Sequence, residues 1–247
     1  MQCLAKITFM VLLTLLLAAS RAPAAEAVAV AVAANFMQPL EKLAALFEAQ
    51  TGIRVQYSAS ATGKLYAQIK NGAPYDLFLA GDSQRPELLH QARLVAEPKI
   101  YARGRVVLWT REKSLAAADW RRALTVDQGR IAMASPEIAP YGAAAAAALK
   151  RTGLWKAVEP RLVFAQSVGQ AFQYGEQGAT LLSFTALSYA LSDQGKTGRY
   201  WPVAEAPEVV QKGCLVKDSP NSDAAGRFWK FLFTEPARKI VIGYGYR

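Results

Sequence analysis

Short apolar runs alternate with amphipathic segments along most of the chain, and this alternation restricts the folds that are open to it. The first run, Ala27–Ala33, reads AVAVAVA and predicts a buried strand, and the segment after it carries apolar residues at helical spacing as far as Phe47. A strand that leads into a helix and then into another strand is the repeating unit of a parallel sheet with helices on its faces. The sequence therefore predicts an α/β fold.

The same alternation continues to the C-terminal region, and the predicted elements fall into two groups. Further strands are predicted at 53–58, 76–80, 105–110, 130–134, 161–165, 179–183 and 209–216, and further helices at 64–71, 85–92, 168–174 and 222–233. Extended segments near 101–109 and 200–207 are typical of a pair of crossing strands. We therefore expect two lobes, 25–104 with 206–247 and 105–205, each a mainly parallel sheet flanked by helices, with a ligand cleft between them.

The N-terminal segment has the pattern of a secretory signal. A basic start that includes Lys6 precedes an apolar run at 7–19, and Ala22-Pro23-Ala24 supplies the small residues of a cleavage site. The apolar run is too short for a stable membrane anchor. We expect residues 1–24 to be removed and the protein to act in the periplasm. The remaining chain keeps one cysteine, Cys214, and cannot form an internal disulfide, which is common where a large core needs no cross-links.

The charge of the chain is compatible with several anionic partners. The formal net charge is +10, and without Lys6 and Arg21 it is +8, with 27 basic and 19 acidic residues. Such a charge suits nucleic acid, an anionic surface or a small anion. The basic residues are scattered, and no stripe of arginine with aromatic residues is visible, so we expect no nucleic-acid partner.

The residues that usually carry catalysis are nearly missing. His90 is the only histidine and has no metal-binding neighbour at ligand spacing, and Cys214 lies in an apolar strand where an inert thiol is expected. No nucleophile elbow, phosphate-binding loop or dinucleotide fingerprint occurs. The two tyrosines of the C-terminal GYGYR suggest ferric-iron binding only weakly, and packing is the simpler interpretation. We expect no enzyme, no cofactor and no directly coordinated metal.

Four strand-to-helix turns share one composition. The turns at 33–36, 58–63, 134–142 and 166–170 are rich in small, hydroxyl and amide side chains and poor in charge. In parallel sheets such turns hold ligands, and several helix N-termini that point into one cleft form a site for a small oxyanion. Hydroxyl groups and the Asn35 amide would add donors. The simpler alternative is that Asn35, Thr62 and Ser167 are ordinary helix caps.

These stretches are similar to those of a known family. The motifs are AANF at 33–36, SATGKLYAQIKNGAPYDLFLAGD at 60–82, RVVLW at 105–109, SPEIAPYG at 135–142 and SVGQA at 167–171. With them the chain resembles the periplasmic molybdate-binding proteins of ABC transporters, within the type II periplasmic-binding-protein fold. The resemblance implies a monomer that holds molybdate, and also tungstate, by N–H and hydroxyl groups and delivers it to the membrane permease.

The resemblance also implies five ligand-binding residues. Ala34 and Asn35 belong to the first turn, Thr62 supplies a hydroxyl donor, Tyr141 is the ligand-contacting tyrosine, and Val168 donates its backbone N–H. Ala34 stands where relatives usually have serine or threonine, so one side-chain donor is missing. Two alternatives remain open: a carrier of another tetrahedral oxyanion such as sulfate or phosphate, and a secreted α/β hydrolase with the lone histidine as its base.

A run of six alanines follows Tyr141 and Gly142 in the third turn. We expect Ala143–Ala148 to propagate a stiff helix whose N-terminal end faces the anion, while Gly142 lets the turn approach the ligand. The run itself should tolerate substitution on its exposed face.

Overall fold

Two five-stranded sheets with helices on their faces form the fold in the computed structural model, which describes residues 26–126 and 128–247. The predicted signal segment lies outside the described residues. The strands are β1 (Ala27–Ala33), β2 (Arg54–Ser60), β3 (Leu77–Leu79), β4 (Lys99–Gly104), β5 (Val106–Thr110), β6 (Ile131–Ala134), β7 (Leu162–Ala165), β8 (Leu182–Ala186), β9 (Arg199–Pro202) and β10 (Val209–Leu215). The helices are α1 (Met37–Thr51), α2 (Thr62–Lys70), α3 (Gln84–Gln91), α4 (Trp120–Val126), α5 (Pro140–Arg151), α6 (Trp155–Val158), α7 (Val168–Glu176), α8 (Leu187–Ala190), α9 (Ser222–Phe231) and α10 (Glu235–Gly243).

The strand order of both sheets follows one plan. The first sheet runs β2-β1-β3-β10-β4 and the second β7-β6-β8-β5-β9. One strand in each sheet, β10 in the first and β5 in the second, is antiparallel to both of its neighbours, and the other four share a direction. The chain crosses between the sheets twice, at Arg105 and again at 203–208. The predicted α/β fold with mainly parallel sheets is confirmed.

Most predicted elements lie within a few residues of the observed ones, and β8 shows the largest displacement. It begins at Leu182 and not at residue 179, because Gly178 takes a left-handed φ of 77° after α7 and Thr180 donates its N–H to the Tyr174 carbonyl. Residues 177–181 therefore turn before the strand can start. The sequence prediction also missed α4, α6, α8 and α10, of which α10 starts with a proline in its first turn, a position that proline tolerates.

Each sheet has its own apolar core. In the first, the Phe47 and Phe228 rings pack edge to face with centroids 5.0 Å apart, which joins α1 to the C-terminal helix α9. In the second, Trp109 is fully buried and packs against Phe172 at 5.0 Å. Because α9 and α10 return to the first sheet, the two chain segments outside 105–205 share one core.

The register of the strands decides which turns become neighbours. Ala33 at the end of β1 pairs with Ser60 at the end of β2, and Ala134 at the end of β6 pairs with Ala165 at the end of β7. The two turns of each sheet therefore lie side by side at the carboxyl edge of the strands. Among the helices of the described residues, none combines the length and the apolar composition needed to cross a bilayer.

Candidate functional site

The four turns meet around one small, partly open cavity between the two sheets. Its lining consists of small, polar or aromatic residues: Ala33, Ala34, Asn35, Ser60, Ala61, Thr62, Ala139, Pro140, Tyr141 and Val168. All five residues that the sequence analysis selected are among them, and no charged side chain belongs to the lining. The cavity volume is about 10 Å³, which is room for about one water molecule, so the cavity must widen before it can admit an ion of several atoms.

Three of the helical segments that start at the cavity have no side-chain cap. Ala33, Ala61 and Ala139 occupy the N-cap positions of the 3₁₀ turn Ala34–Phe36, of α2 and of α5, and none of them makes a capping hydrogen bond. Alanine is among the poorest N-caps. The first N–H groups of these segments also lack partners within the helix. The sequence thus leaves backbone donors at the cavity for something other than its own side chains.

The capping alternative applies to one of the four turns. Ser167 caps α7 by accepting the Gln170 N–H at 3.2 Å, which leaves the N–H of Val168 as the first of that helix. Asn35 and Thr62 lie inside their helical segments and do not cap them. Capping therefore does not explain why Asn35 and Thr62 are buried at this cavity.

Thr62 is placed to donate its hydroxyl proton. The side chain is buried, and its Oγ1 accepts the Gly81 N–H at 3.0 Å. A hydroxyl that accepts in this way keeps its own proton for another acceptor. Gly81 is needed for this approach, because a Cβ there would lie 2.9 Å from Asn35 Oδ1 and 3.0 Å from Thr62 Oγ1.

The Asn35 amide does not supply the extra donors that the sequence analysis expected. Its Nδ2 donates to Gln211 Oε1 at 2.8 Å and to Tyr246 Oη at 3.0 Å, so both of its protons are used within the protein. Because Asn35 belongs to the 3₁₀ turn, its backbone N–H is the group that remains for a ligand.

The Tyr141 side chain crosses from the second sheet to the first. Its Oη accepts from Gln211 Nε2 at 3.2 Å and approaches Gly104 so closely that a Cβ there would be 1.9 Å away. Burial, followed by the neighbouring Tyr246, raises the Tyr141 pKa well above its ordinary value, so the hydroxyl stays neutral. Tyr141 follows Pro140 at the start of α5, which makes its backbone N–H another unpaired donor.

The carbonyl groups of the first turn are occupied by hydroxyl groups from α8 and from the C-terminal segment. Tyr189 Oη donates to Ala34 O at 2.8 Å, and Ser188 Oγ donates to Asn35 O at 2.7 Å. Tyr246 Oη also donates to Asn35 O, at 2.6 Å. These acceptors are therefore satisfied within the protein, and Ala34, which has no hydroxyl, contributes backbone groups only.

Sequence reasoning missed Ser188, Tyr189 and Gln211, and it did not connect Tyr246 with the site. All four side chains are buried, and Ser188, Tyr189 and Gln211 are polar groups within largely apolar segments, which is the one sequence signal that these three give. The packing interpretation of the C-terminal tyrosines holds for Tyr246, since it lies against the Phe36 ring with centroids 5.3 Å apart.

The cavity is covered by direct contacts between the two sides. The Gly63 N–H donates to Ile138 O at 3.0 Å, and Arg85 Nη2 donates to the Glu137 carbonyl at 2.9 Å. The guanidinium of Arg85 is paired with Asp82 at 2.5 Å. A Cβ at Gly63 would lie 3.1 Å from both Arg85 Nη2 and Ile138 O, so a side chain there would displace these atoms by a few tenths of an ångström.

The groups considered for catalysis lie outside the cavity lining. His90 is exposed on α3 with Nδ1 3.2 Å from Val95 O, and burial raises the pKa of Cys214 to about 12. Asp76 is a buried structural carboxylate that accepts the Ala29 N–H at 2.6 Å. Within residues 26–126 and 128–247, no group of three or more His, Cys, Asp or Glu side chains is arranged to hold a metal ion.

Comparison with known proteins gives one consistent result. Residues 28–247 match the family model described as bacterial extracellular solute-binding protein. The chain is 37% identical over 250 residues to the molybdate-binding protein ModA of Azotobacter vinelandii, with 93% of each chain covered, and 33% identical over 225 residues to ModA of Rhodobacter capsulatus, with 90% and 89% covered. A solved structure, the periplasmic molybdate-binding protein of Azotobacter vinelandii, superposes with a TM-score of 0.84 at 34% identity and covers 89% of this chain and 98% of that one.

Proposed function

Since the chain belongs to the family of bacterial extracellular solute-binding proteins, we propose that it captures molybdate in the cavity between its sheets and delivers it to an ABC-type membrane permease. One observation carries the ligand class: three uncapped helical N-termini converge on a small cavity whose lining has no charged side chain. Relatives at 33–37% identity are named for binding molybdate, and binding requires no chemical step. The protein is a carrier and not an enzyme.

The donor set fits a tetrahedral oxyanion. A buried anion must be fully hydrogen-bonded, and here the donors are the N–H groups at the starts of the helical segments together with the Thr62 hydroxyl. Each helix start also carries roughly half a positive charge, which offsets the anion without a salt bridge. Tungstate has the same shape and charge, so the same cavity takes it as well.

Competing anions fit this donor set less well. Sulfate is smaller, so it leaves some donors without partners, and each unpaired buried donor costs about 1–3 kcal/mol. A protonated phosphate brings a further donor into a cavity that offers donors only. Selectivity then follows from size and from the number of protons on the anion.

The cavity is too narrow in this conformation to admit an oxyanion, so access requires that the two sides separate. We assign lobe 1 to residues 25–104 and 206–247 and lobe 2 to 105–205, with a hinge at the two crossings near Arg105 and at 203–208. The anion binds to an open form, and closure forms the contacts at Ile138 and Glu137. The protein works as a monomer in the periplasm after removal of residues 1–24.

A thermal-shift panel with molybdate, tungstate, sulfate and phosphate tests the proposal on purified protein without its signal segment. A ligand at about 1,000 times its Kd stabilises the folded state by about 4 kcal/mol. Molybdate and tungstate are expected to raise Tm, and sulfate and phosphate to raise it little. A shift with sulfate or phosphate alone would assign a different oxyanion, and no shift with any of the four would remove the anion-binding function.

A further inference from the structure

Gln211 lies behind the cavity and is completely buried, although no sequence motif marks it. It belongs to β10, where the pairing with β4 is interrupted by an irregularity between Gln211 and Lys212. Such β-bulges change the direction of a side chain and occur next to functional sites. The Gln211 side chain reaches both Asn35 in lobe 1 and Tyr141 in lobe 2.

The hydrogen bonds around Gln211 fix the orientation of its amide. Tyr246 uses its single proton at Asn35 O, 2.6 Å away, so it accepts from Asn35 Nδ2 at 3.0 Å. The same Nδ2 faces Gln211 at 2.8 Å, so the facing atom of Gln211 is Oε1. Its Nε2 is then the group directed at Tyr141 Oη, 3.2 Å away.

This arrangement joins the two lobes through one amide. Asn35 lines the cavity, and Gln211 holds its side chain from within lobe 1. Tyr141 is the second residue of α5, the lobe 2 helix that begins at the cavity, and its hydroxyl contacts Gln211 across the cleft. One side chain therefore contacts a lining residue on each side of the cleft.

We propose that Gln211 is a positioning residue that couples the anion-binding turns of the two lobes: its carbonyl holds Asn35, and its NH₂ group captures the Tyr141 hydroxyl on closure. This inference rests on the proposed function. Because Gln211 does not line the cavity, it acts through Asn35 and Tyr141. Its loss should act mainly on the dissociation rate, since an open form without the bond is reached more easily.

The test is a double-mutant cycle with Gln211→Met and Tyr141→Phe in the full mature chain. Calorimetry gives Kd for molybdate, and stopped-flow tryptophan fluorescence gives the dissociation rate. Each single variant should raise Kd by about tenfold, the equivalent of one hydrogen bond in a closed site. The double variant should bind no more weakly than the weaker single variant, because both remove the same link.

Tyr101→Phe is the matched control. Tyr101 is also buried and also bonded to Gln211, at 3.0 Å, but both residues lie in lobe 1 and Tyr101 does not line the cavity. It should lower the Tm of the ligand-free protein and change Kd by less than about threefold, because it leaves the interlobe bond in place. If Gln211→Met fails to fold, Gln211→Asn, whose shorter amide does not span from Asn35 to Tyr141, replaces it in the cycle.

Failure of the inference and of the proposed function can be told apart. A wild-type protein that binds neither molybdate nor tungstate removes the function and the inference with it. A wild type that binds, with Gln211→Met binding equally well, overturns the inference only. Additive losses in the cycle, or equal losses of affinity in Tyr141→Phe and Tyr101→Phe, would also overturn it.

Discussion

Replacing Gly104 by alanine places a methyl group where the Tyr141 hydroxyl lies in the closed protein. The added Cβ would be 1.9 Å from Tyr141 Oη and 2.9 Å from Gln211 Nε2, whereas ordinary contacts are 3.4–4 Å. The φ of Gly104 is not positive, so alanine is compatible with the backbone there. Under the proposed division the Tyr141 hydroxyl belongs to lobe 2, so its clash arises on closure, whereas the contact with Gln211 Nε2 lies within lobe 1 and requires a small shift of that side chain in either form.

The expected loss follows from two contributions. Overpacking at a closed contact costs about 1–3 kcal/mol, and loss of the bond between Gln211 and Tyr141 costs about 0.5–1.5 kcal/mol. A total of about 1.5–4.5 kcal/mol raises Kd roughly tenfold to 2,000-fold. The Tm of the ligand-free Gly104→Ala protein should stay within a few degrees of wild type.

Calorimetric titration with molybdate and melting of the ligand-free protein measure the two effects separately. Gly226→Ala is the control, because Gly226 lies within α9 with no atom within 4 Å of an added Cβ. It should stabilise the fold by up to about 1 kcal/mol and leave Kd unchanged. If Gly104→Ala bound molybdate as tightly as wild type, the contact across the cleft would have no part in closure.

Three further predictions concern a donor, a helix and the buried tyrosines. Thr62→Val removes the hydroxyl at nearly constant volume and should weaken molybdate binding, measured by calorimetry, by about 1.5–3 kcal/mol. The affinity of Thr62→Ser, which keeps the hydroxyl, should stay close to that of the wild type. Equal affinities of the two variants would exclude the hydroxyl as a donor. Ala145→Leu should lower the free energy of unfolding, measured in urea, by about 1–3 kcal/mol, because Ala145 is fully buried in α5. Ala143→Glu, on the exposed side of the same helix, should change it by less than about 0.5 kcal/mol. Equal effects of the two variants would contradict the packing of this helix. Burial raises the pKa of Tyr101 and Tyr246 in the folded state, so above about pH 10 the unfolded state binds fewer protons than the folded state. The free energy of unfolding should therefore fall there by up to about 1.4 kcal/mol per pH unit for each tyrosine, with no such loss below pH 9. Urea titrations from pH 8 to 11 measure this slope, and a Tyr101→Phe variant with the wild-type slope would contradict the assignment.

The alanine run illustrates which features of a helix the local sequence predicts and which ones depend on tertiary packing. The sequence predicts a helix after Pro140, and α5 begins there. Four of the six alanines are buried, and a Cβ at Gly142 would lie 2.1 Å from Ala134 O. Small residues are therefore needed because the helix lies directly on β6, which is a tertiary contact, and the absence of a side chain at Gly142 makes room for the Ala134 carbonyl.

The sequence by itself determined the alternation of strands and helices and the turns in which donors accumulate. These features depend on periodicity and on residue types within about ten positions of each other, which a single chain displays directly. For the same reason all five residues selected from the motifs lie at one cavity.

Only the tertiary structure decided which atoms of those residues are free. Asn35 meets Gln211 and Tyr246 across 176 and 211 positions of sequence, and Tyr141 meets Gln211 across 70. A polar side chain has a few donors and acceptors, and its partners are set by what packs against it. Both protons of the Asn35 amide are therefore used within the protein, while the helical segments after Ala33, Ala61 and Ala139 begin without a side-chain cap.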